Sequence, residues 1–303
     1  MNLASVFGSL EEFEQAKQHF QRALRIQQKA LGPDHPDVGR NLSNLGVVYS
    51  SLGEHEQAKQ HHRRALLILE KELGPDHPDL AQGLNQMGNE FFALGEYEQA
   101  KQHYHRASLI HEKALGPDHP DLAMSLDSLG TALYVLGEYE QAKQHYHRAS
   151  RILEEALGPD HPKVAHGLNN LGTVLEQLEE YEQAELHCQR AVRIWEKVLG
   201  PDHLMLAYPL VSLANATLGQ RNAAAARDHA ARAVSIREKQ PVEPSLLAEA
   251  RFALARALWS DEVERARARD LAEQARETYA EQGPDAEDTL AGIDAWLAEH
   301  RVR

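Results

Sequence analysis

The pentapeptide Leu-Gly-Pro-Asp-His begins at Leu31, Leu73, Leu115, Leu157 and Leu199, a constant step of 42 residues. The stretch from Leu94 to Ser108 recurs letter for letter from Leu136 to Ser150. A period of this length confines the chain to repeat architectures, in which each small unit completes its core against its neighbours.

Two helical patterns alternate within the period. In the second unit Leu42, Leu45, Gly46, Tyr49 and Leu52 recur at spacings of three and four, one face of a helix. Gly53 breaks the chain, and a second helix is expected from about residue 54 to 73 with a stripe of Ala58, Ala65, Ile68 and Leu69. Alanines recur at the 42 step from Ala16 to Ala226 and from Ala23 to Ala233. Small side chains at fixed intervals let two antiparallel helices approach closely. In the link, Gly32 suits a left-handed helix stop and Pro36 a first helical turn.

Leu42, Leu45-Gly46, Tyr49, Gly53, Ala58 and Ala65 fall where the tetratricopeptide repeat carries its signature, with Leu42 in the usual Trp place. The 42-residue period and the Gly-Pro-Asp-His-Pro link resemble the long variant of kinesin light chains and many bacterial arrays. The resemblance covers about residues 1–240 and implies an all-α fold: a right-handed superhelical solenoid of antiparallel helix pairs, about seven units plus a C-terminal capping helix.

Both ends depart from the pattern. Asn2-Leu3 aligns with Asn44-Leu45, so the first helix lacks its opening turns and the chain reads as a piece cut from a longer protein. Residues 1–240 are expected as regular units. Residues 241–303 read as a degenerate seventh pair and a capping helix, in one continuous solenoid closed by Trp259 and Trp296. The run Leu247-Ala248-Glu249-Ala250-Arg251-Phe252-Ala253-Leu254-Ala255 and the closing Trp296-Leu297 resemble the tails of large bacterial Ser/Thr kinases, especially from myxobacteria.

Charge and motifs narrow the function. With 32 basic and 46 acidic side chains the net charge is −14, which speaks against binding nucleic-acid phosphates or anionic lipid. No run approaches the ~20 apolar residues of a membrane span, and no signal-peptide pattern opens the chain, so a cytoplasmic protein is expected. The single cysteine, Cys188, takes the helix position of Phe20, Tyr104 and Tyr146 and reads as a buried thiol. His35, His77, His119, His161 and His203 sit one per link. Neighbouring links lie on the order of 10 Å apart, whereas metal ligands converge to ~2 Å from one ion. They read as capping or packing groups, with no metal and no cofactor. No nucleotide loop or catalytic constellation is present, so no enzyme is expected. Arg22, Arg64, Arg106, Arg148, Arg190 and Arg232 recur at the 42 step and are expected to pair with carboxylates between repeats.

Family arrays bind partners on the surface lined by the first helix of each pair. Helical geometry opposite the Tyr49 core face selects Arg40, Asn44 and Val47, then Gln82, Gln86 and Asn89. The same step gives Met124, Ser128 and Thr131, then His166, Asn170 and Thr173, then Tyr208, Ser212 and Asn215. Asn85, Phe92, Asp127, Tyr134 and Asn169 flank this stripe. The first helices of units two to five carry two basic residues, Arg40 and Lys163, against six acidic ones, so a basic clamp for a C-terminal carboxylate is not expected. Side-chain amides can match the N–H and C=O groups of an extended peptide. Asn2, Asn44 and Asn170, with Gln86, resemble the asparagine ladder by which family members hold peptides. The expected function is a non-enzymatic scaffold holding a neutral or basic protein segment or peptide. The alternative is a regulatory or sensor module cut from a larger bacterial signalling enzyme such as a Ser/Thr kinase. A designed or consensus array would explain the near-identical units, but the degenerate tail speaks against it.

Overall fold

The computed structural model describes residues 3–300, with side chains for 12–283 and 286–300. Among these residues it contains fourteen α-helices and no strand. The chain forms two compact units, Asn2–Pro159 and Asp160–Arg303. The first holds α1 (Leu3–Leu31), α2 (Pro36–Ser51), α3 (His55–Leu73), α4 (Pro78–Ala93), α5 (Tyr97–Leu115), α6 (Pro120–Val135) and α7 (Tyr139–Leu157). The second holds α8 (Pro162–Gln177), α9 (Tyr181–Leu199), α10 (Ala207–Gly219), α11 (Ala223–Glu238), α12 (Pro244–Leu258), α13 (Arg265–Ala280) and α14 (Glu287–Glu299).

Within each unit every helix packs on the next, so each core layer is shared between successive pairs. Leu69 of α3, Leu80, Ala81 and Leu84 of α4, and Ala107 and Ile110 of α5 form one buried cluster. The first helices also meet one another, α2 with α4, α4 with α6, α8 with α10 and α10 with α12, and no pair of second helices comes as close. They therefore form the tighter row of each unit. At the far end α14 closes the stack through Ile293 and Leu297, with Trp296 and Trp259 edge to face at 5.5 Å.

The link histidines act as N-caps. Nδ1 of His35, His77 and His119 accepts the backbone N–H two residues on, at 3.1–3.2 Å, and in the second unit His161 and His203 do the same at 3.2 Å. The link glycines take positive φ as expected, but Gly74 (φ 90°, ψ 167°) and Gly116 (φ 95°, ψ 167°) lie in the mirror-extended region rather than the left-handed helical one.

The turn inside each pair has a second requirement. Gly53, Gly95 and Gly137 take φ of 75–77° there. The equivalent position in the first repeat is Glu11, and α1 runs through it as one helix of 29 residues. Glu179 and Arg221 occupy the same step later, and both enter the left-handed region with φ of 60° and 63°.

Charged pairs tie successive repeats along the second helices. Arg148 donates to Glu112 at 2.6 Å, Arg106 pairs with Glu70, and Arg232 donates to Glu196 at 2.7 Å. Lys17–Glu54, Lys59–Glu96 and Lys101–Glu138 repeat at a separation of 37 residues, at 2.7–3.2 Å. The glutamates Glu54, Glu96 and Glu138 precede α3, α5 and α7 without capping them, which leaves their carboxylates for the lysines. Exposed pairs of this kind contribute about 0–1 kcal/mol each.

The crossings of α2 with α3, α4 with α5, α6 with α7 and α8 with α9 each depend on a glycine. A Cβ on Gly88 would stand 2.6 Å from the Tyr104 ring, on Gly130 2.8 Å from Tyr146, and on Gly172 2.2 Å from the Cys188 sulfur. The next pair has Ala214 opposite Ala230, so the larger first-helix residue accompanies the smaller partner. In α3 the partner is His62, fully buried, and both of its ring nitrogens lack a hydrogen-bond partner within the protein. Glu90 stands 3.9 Å from Nε2, beyond hydrogen-bond reach. Burial, assisted by neighbouring His61, lowers the His62 pKa to about 4.

Two outcomes are expected. Left-handed backbone costs a non-glycine residue roughly 1–2 kcal/mol, partly offset by glycine's greater chain entropy. Glu179→Gly and Arg221→Gly should therefore each raise stability by about 0.5–1 kcal/mol in urea melts, and loss of stability would contradict the strain. Because the folded pKa of His62 lies below its unfolded value near 6.5, its contribution is complete above that pH and is lost as pH falls toward about 4. His62→Phe should flatten the fall in melting temperature between those limits, and an unchanged acid slope would assign it to other groups.

Candidate functional site

In Asn2–Pro159 the exposed side of the first-helix row carries two adjoining cavities. One, of about 220 Å³, is lined by Arg40, Ser43, Asn44 and Leu69 with Asp79, Gln82, Gly83 and Gln86. The other, of about 310 Å³, lies between α4 and α6, and Asp79, Gln82 and Gln86 line both. Its remaining walls include Asn85, Asn89, His111, Asp121, Met124 and Ser128. Eight of the residues selected by periodicity thus meet around two cavities: Arg40, Asn44, Gln82, Asn85, Gln86, Asn89, Met124 and Ser128.

Their polar atoms differ in what they have left to offer. Arg40 is held by Asp37 and Asp79, each at 2.6 Å, so its charge is answered within the protein. Asn44 is exposed and makes no hydrogen bond among the described residues. Asn89 accepts from the Tyr104 hydroxyl at 2.7 Å, and Thr131 accepts from Tyr146 at 3.1 Å. Each tyrosine reaches this face from the second helix through the gap its glycine leaves. The side-chain oxygens of Ser43, Asn85 and Gln86 are buried and have no hydrogen-bond partner within the protein. Ser43 itself is 7% exposed. An unanswered buried acceptor costs about 1–3 kcal/mol.

The flanking aromatics pack inward: Phe92 meets Tyr97 at 5.1 Å and Tyr134 meets Tyr139 at 5.4 Å. Val47 and Met124 remain about half exposed, at 42% and 49%.

In Asp160–Arg303 the corresponding positions are more engaged. Asn170 lies 3.3 Å from His166, and Thr173 bonds the Asn169 carbonyl at 3.0 Å. Ser212 is buried and lies 3.2 Å from the Thr173 hydroxyl. Arg237 stacks over Tyr208 at 5.4 Å, and Arg256 donates to Asn215 at 3.2 Å. Burial pushes the Glu176 carboxyl up to about 7, opposed by Arg256 and a hydrogen bond with Asn215. Cys188 is fully buried, and burial holds its thiol protonated. Among the described residues no three His, Cys, Asp or Glu side chains are placed to hold a metal ion. No helix among them is long and apolar enough to cross a membrane.

The tetratricopeptide repeat profile matches residues 1–71, 51–104, 79–146, 128–187 and 165–239. The chain belongs to the tetratricopeptide repeat family. Its fold is similar to BtubC (BKLC) from P. vanneervenii, at 20% identity and TM-score 0.60 over 79% of this chain and 92% of that one. It is also similar to a Podosopora anserina protein described as a kinesin light chain with nearly identical TPR-like repeats, at 20% identity and TM-score 0.60 over 68% and 97%. The apo form of RapI matches at 17% identity and TM-score 0.62 over 86% and 95%. A comparison with curated protein sequences found no match. Tetratricopeptide repeats are typical of protein-interaction scaffolds, and this array is built of successive helix pairs in both units.

Periodicity put Ser43 at the edge of this face and missed His111, Ser125 and Tyr104. The last has a sequence signal, a large residue sixteen positions after the first-helix glycine. His111 and Ser125 were visible as polar residues where Leu69 and Gly83 stand one repeat earlier.

Asn44→Ala should leave stability within about 0.5 kcal/mol, because an exposed residue without a partner is being removed. Asn85→Ala breaks a 2.8 Å bond to the buried Ser125 hydroxyl and should cost about 1 kcal/mol. Chemical denaturation of both variants tests the contrast. Equal losses would mean that the buried hydrogen bond carries no weight.

Proposed function

We propose that this array is a non-enzymatic scaffold that holds an extended, neutral or basic segment of a partner protein along the first-helix face of Asn2–Pro159. The observation that carries the reading is the set of unanswered buried acceptors, Ser43 Oγ, Asn85 Oδ1 and Gln86 Oε1, beside the exposed amide of Asn44. An extended peptide presents N–H donors and C=O acceptors along its length, and amide side chains can answer both. The row runs over α2, α4 and α6, whose first turns carry Asp37, Asp79 and Asp121. Acidic residues there favour a segment with basic flanks, and that attraction weakens as added salt shortens the Debye length from about 10 Å at 0.1 M. Asn170 and His166 offer a similar, smaller amide surface in the other unit.

The test is calorimetric titration of a peptide selected from a displayed random library on the whole chain, against wild type and Asn44→Ala/Gln86→Ala. Two lost backbone hydrogen bonds at about 0.5–1.5 kcal/mol each should weaken binding by about tenfold. Equal affinities, or loss only when Lys59 or Lys101 on the second helices is changed, would move the site to the opposite surface.

A further inference from the structure

The two cavities occupy equivalent places one repeat apart, yet their inner walls differ. The smaller is lined by Leu69 and Gly83; at the same steps the larger is lined by His111, with the fully buried Ser125 behind it. One repeat beyond the larger cavity the pair is Leu153 and Gly167, and after that Trp195 and Pro209. Of the two cavities only the α4–α6 one has hydrogen-bonding side chains at both positions; Gln27 and Asn41, one repeat before the smaller, bond to each other at 2.8 Å.

That buried pair is wired inward. Ser125 is fully buried, and its hydroxyl donates to the Asp121 carbonyl at 3.2 Å. Its proton so placed, the oxygen accepts from Asn85 Nδ2 at 2.8 Å and from His111 Nδ1 at 2.9 Å. Burial lowers the His111 pKa, which keeps the ring neutral and adds no positive charge beneath the cavity. Spending the Asn85 amide N–H on Ser125 leaves its Oδ1 as an unanswered acceptor, and Gln86 Oε1 is a second. Asp121, about half exposed, adds a carboxylate that lies 3.8 Å from His119 Nδ1 and has no lysine or arginine paired to it among the described residues. Asp79, by contrast, is taken by Arg40 at 2.6 Å. Next door the 93% buried Ser43 hydroxyl is a further unpartnered group on the adjoining cavity.

We infer that the α4–α6 cavity is a subsite for an arginine side chain of the bound segment. A guanidinium carries five N–H donors in a planar fork and no acceptor, which matches two amide oxygens and a carboxylate. It is more weakly hydrated than an ammonium, so bringing it into a partly enclosed cavity costs less. Met124, 49% exposed at the rim, covers the aliphatic stem. The inference rests on the peptide-binding reading of this face and shares Asn85 Oδ1 and Gln86 Oε1 with it, but it does not use Asn44 and adds the Asp121 carboxylate.

The experiment follows the Met124 methyl resonance in the whole chain, one of four methionines, during titration with N-acetyl-arginine methylamide. The lysine and norleucine analogues serve as controls. The expected result is a saturable shift in the millimolar range with the arginine compound. Binding should be several-fold weaker with lysine, absent with norleucine, and at least fivefold weaker for arginine in Asp121→Asn and in Gln86→Leu. Asp121 is exposed and Gln86 Oε1 unpartnered, so both variants should fold, and unchanged methyl spectra elsewhere confirm it. No shift, equal response to norleucine or lysine, or indifference to both substitutions overturns the subsite. The selected peptide separates the two readings. If it depends on Asn44 but not on an arginine, the groove stands and the subsite falls. If the arginine compound binds as described and the peptide ignores Asn44 and Gln86, the subsite stands and the groove falls.

Discussion

The contact on which the rest of this structure depends is the close crossing of first and second helix at a glycine. Gly88, Gly130 and Gly172 leave room for Tyr104, Tyr146 and Cys188 to lie against helix backbone. A methyl group at any of them would displace a packed side chain, and overpacking of this sort costs typically 1–3 kcal/mol. The crossing also decides what the opposite surface presents. Tyr104 and Tyr146 pass through the gap and end in hydrogen bonds to Asn89 and Thr131 on the first-helix face. Core packing thereby fixes the orientation of two groups that a partner would meet. Where the partner residue shrinks to Cys188 or Ala230, that hydroxyl is lost, and the face of Asp160–Arg303 is held together instead by contacts among its own residues, such as Thr173 with Ser212.

Charge is distributed with the same regularity. Lysines and arginines of the second helices are spent on glutamates and aspartates of the neighbouring repeat, as in Lys101–Glu138 and Arg148–Glu112. The arginine ladder therefore behaves as inter-repeat pairing at Arg106, Arg148 and Arg232. With most cations committed there, the first-helix face keeps the acidic residues of its opening turns and one arginine that is already paired. A chain of net charge −14 thus shows its negative side where its amides are.

The sequence carried the fold because the 42-residue spacing is a geometric statement. Prolines at helix starts, glycines at stops and alanines at crossings recur together, and each has one local conformation that suits it. Histidine caps were legible in the same way, from a polar side chain placed just before proline. The continuous α1 was less so. It follows from Glu11 standing where later repeats have glycine, and a missing signal is harder to read than a present one. The use of Glu179 and Arg221 in left-handed backbone runs against local preference and is set by the tertiary packing of the pair.

The candidate face was only half legible, for a reason intrinsic to helical periodicity. Angular position says which side of a helix a residue occupies, and it placed Gln82, Gln86, Asn89 and Met124 around one cavity. It does not say how far a neighbouring helix extends over that side, so Ser212 of α10 counted as surface although it is buried, with the Thr173 hydroxyl of α8 at 3.2 Å. Nor does it say what reaches the face from behind. His111 belongs to a second helix, and its ring enters the wall of a cavity otherwise built from first helices. The hydrogen-bonding capacity of Asn85 depends on that ring through Ser125, two helices away in sequence order. Recognition chemistry on such an array is therefore written partly in the core positions. Equivalent places in two repeats differ beneath the surface as well as on it, because a leucine and a glycine under one of them have become a histidine and a serine under the next.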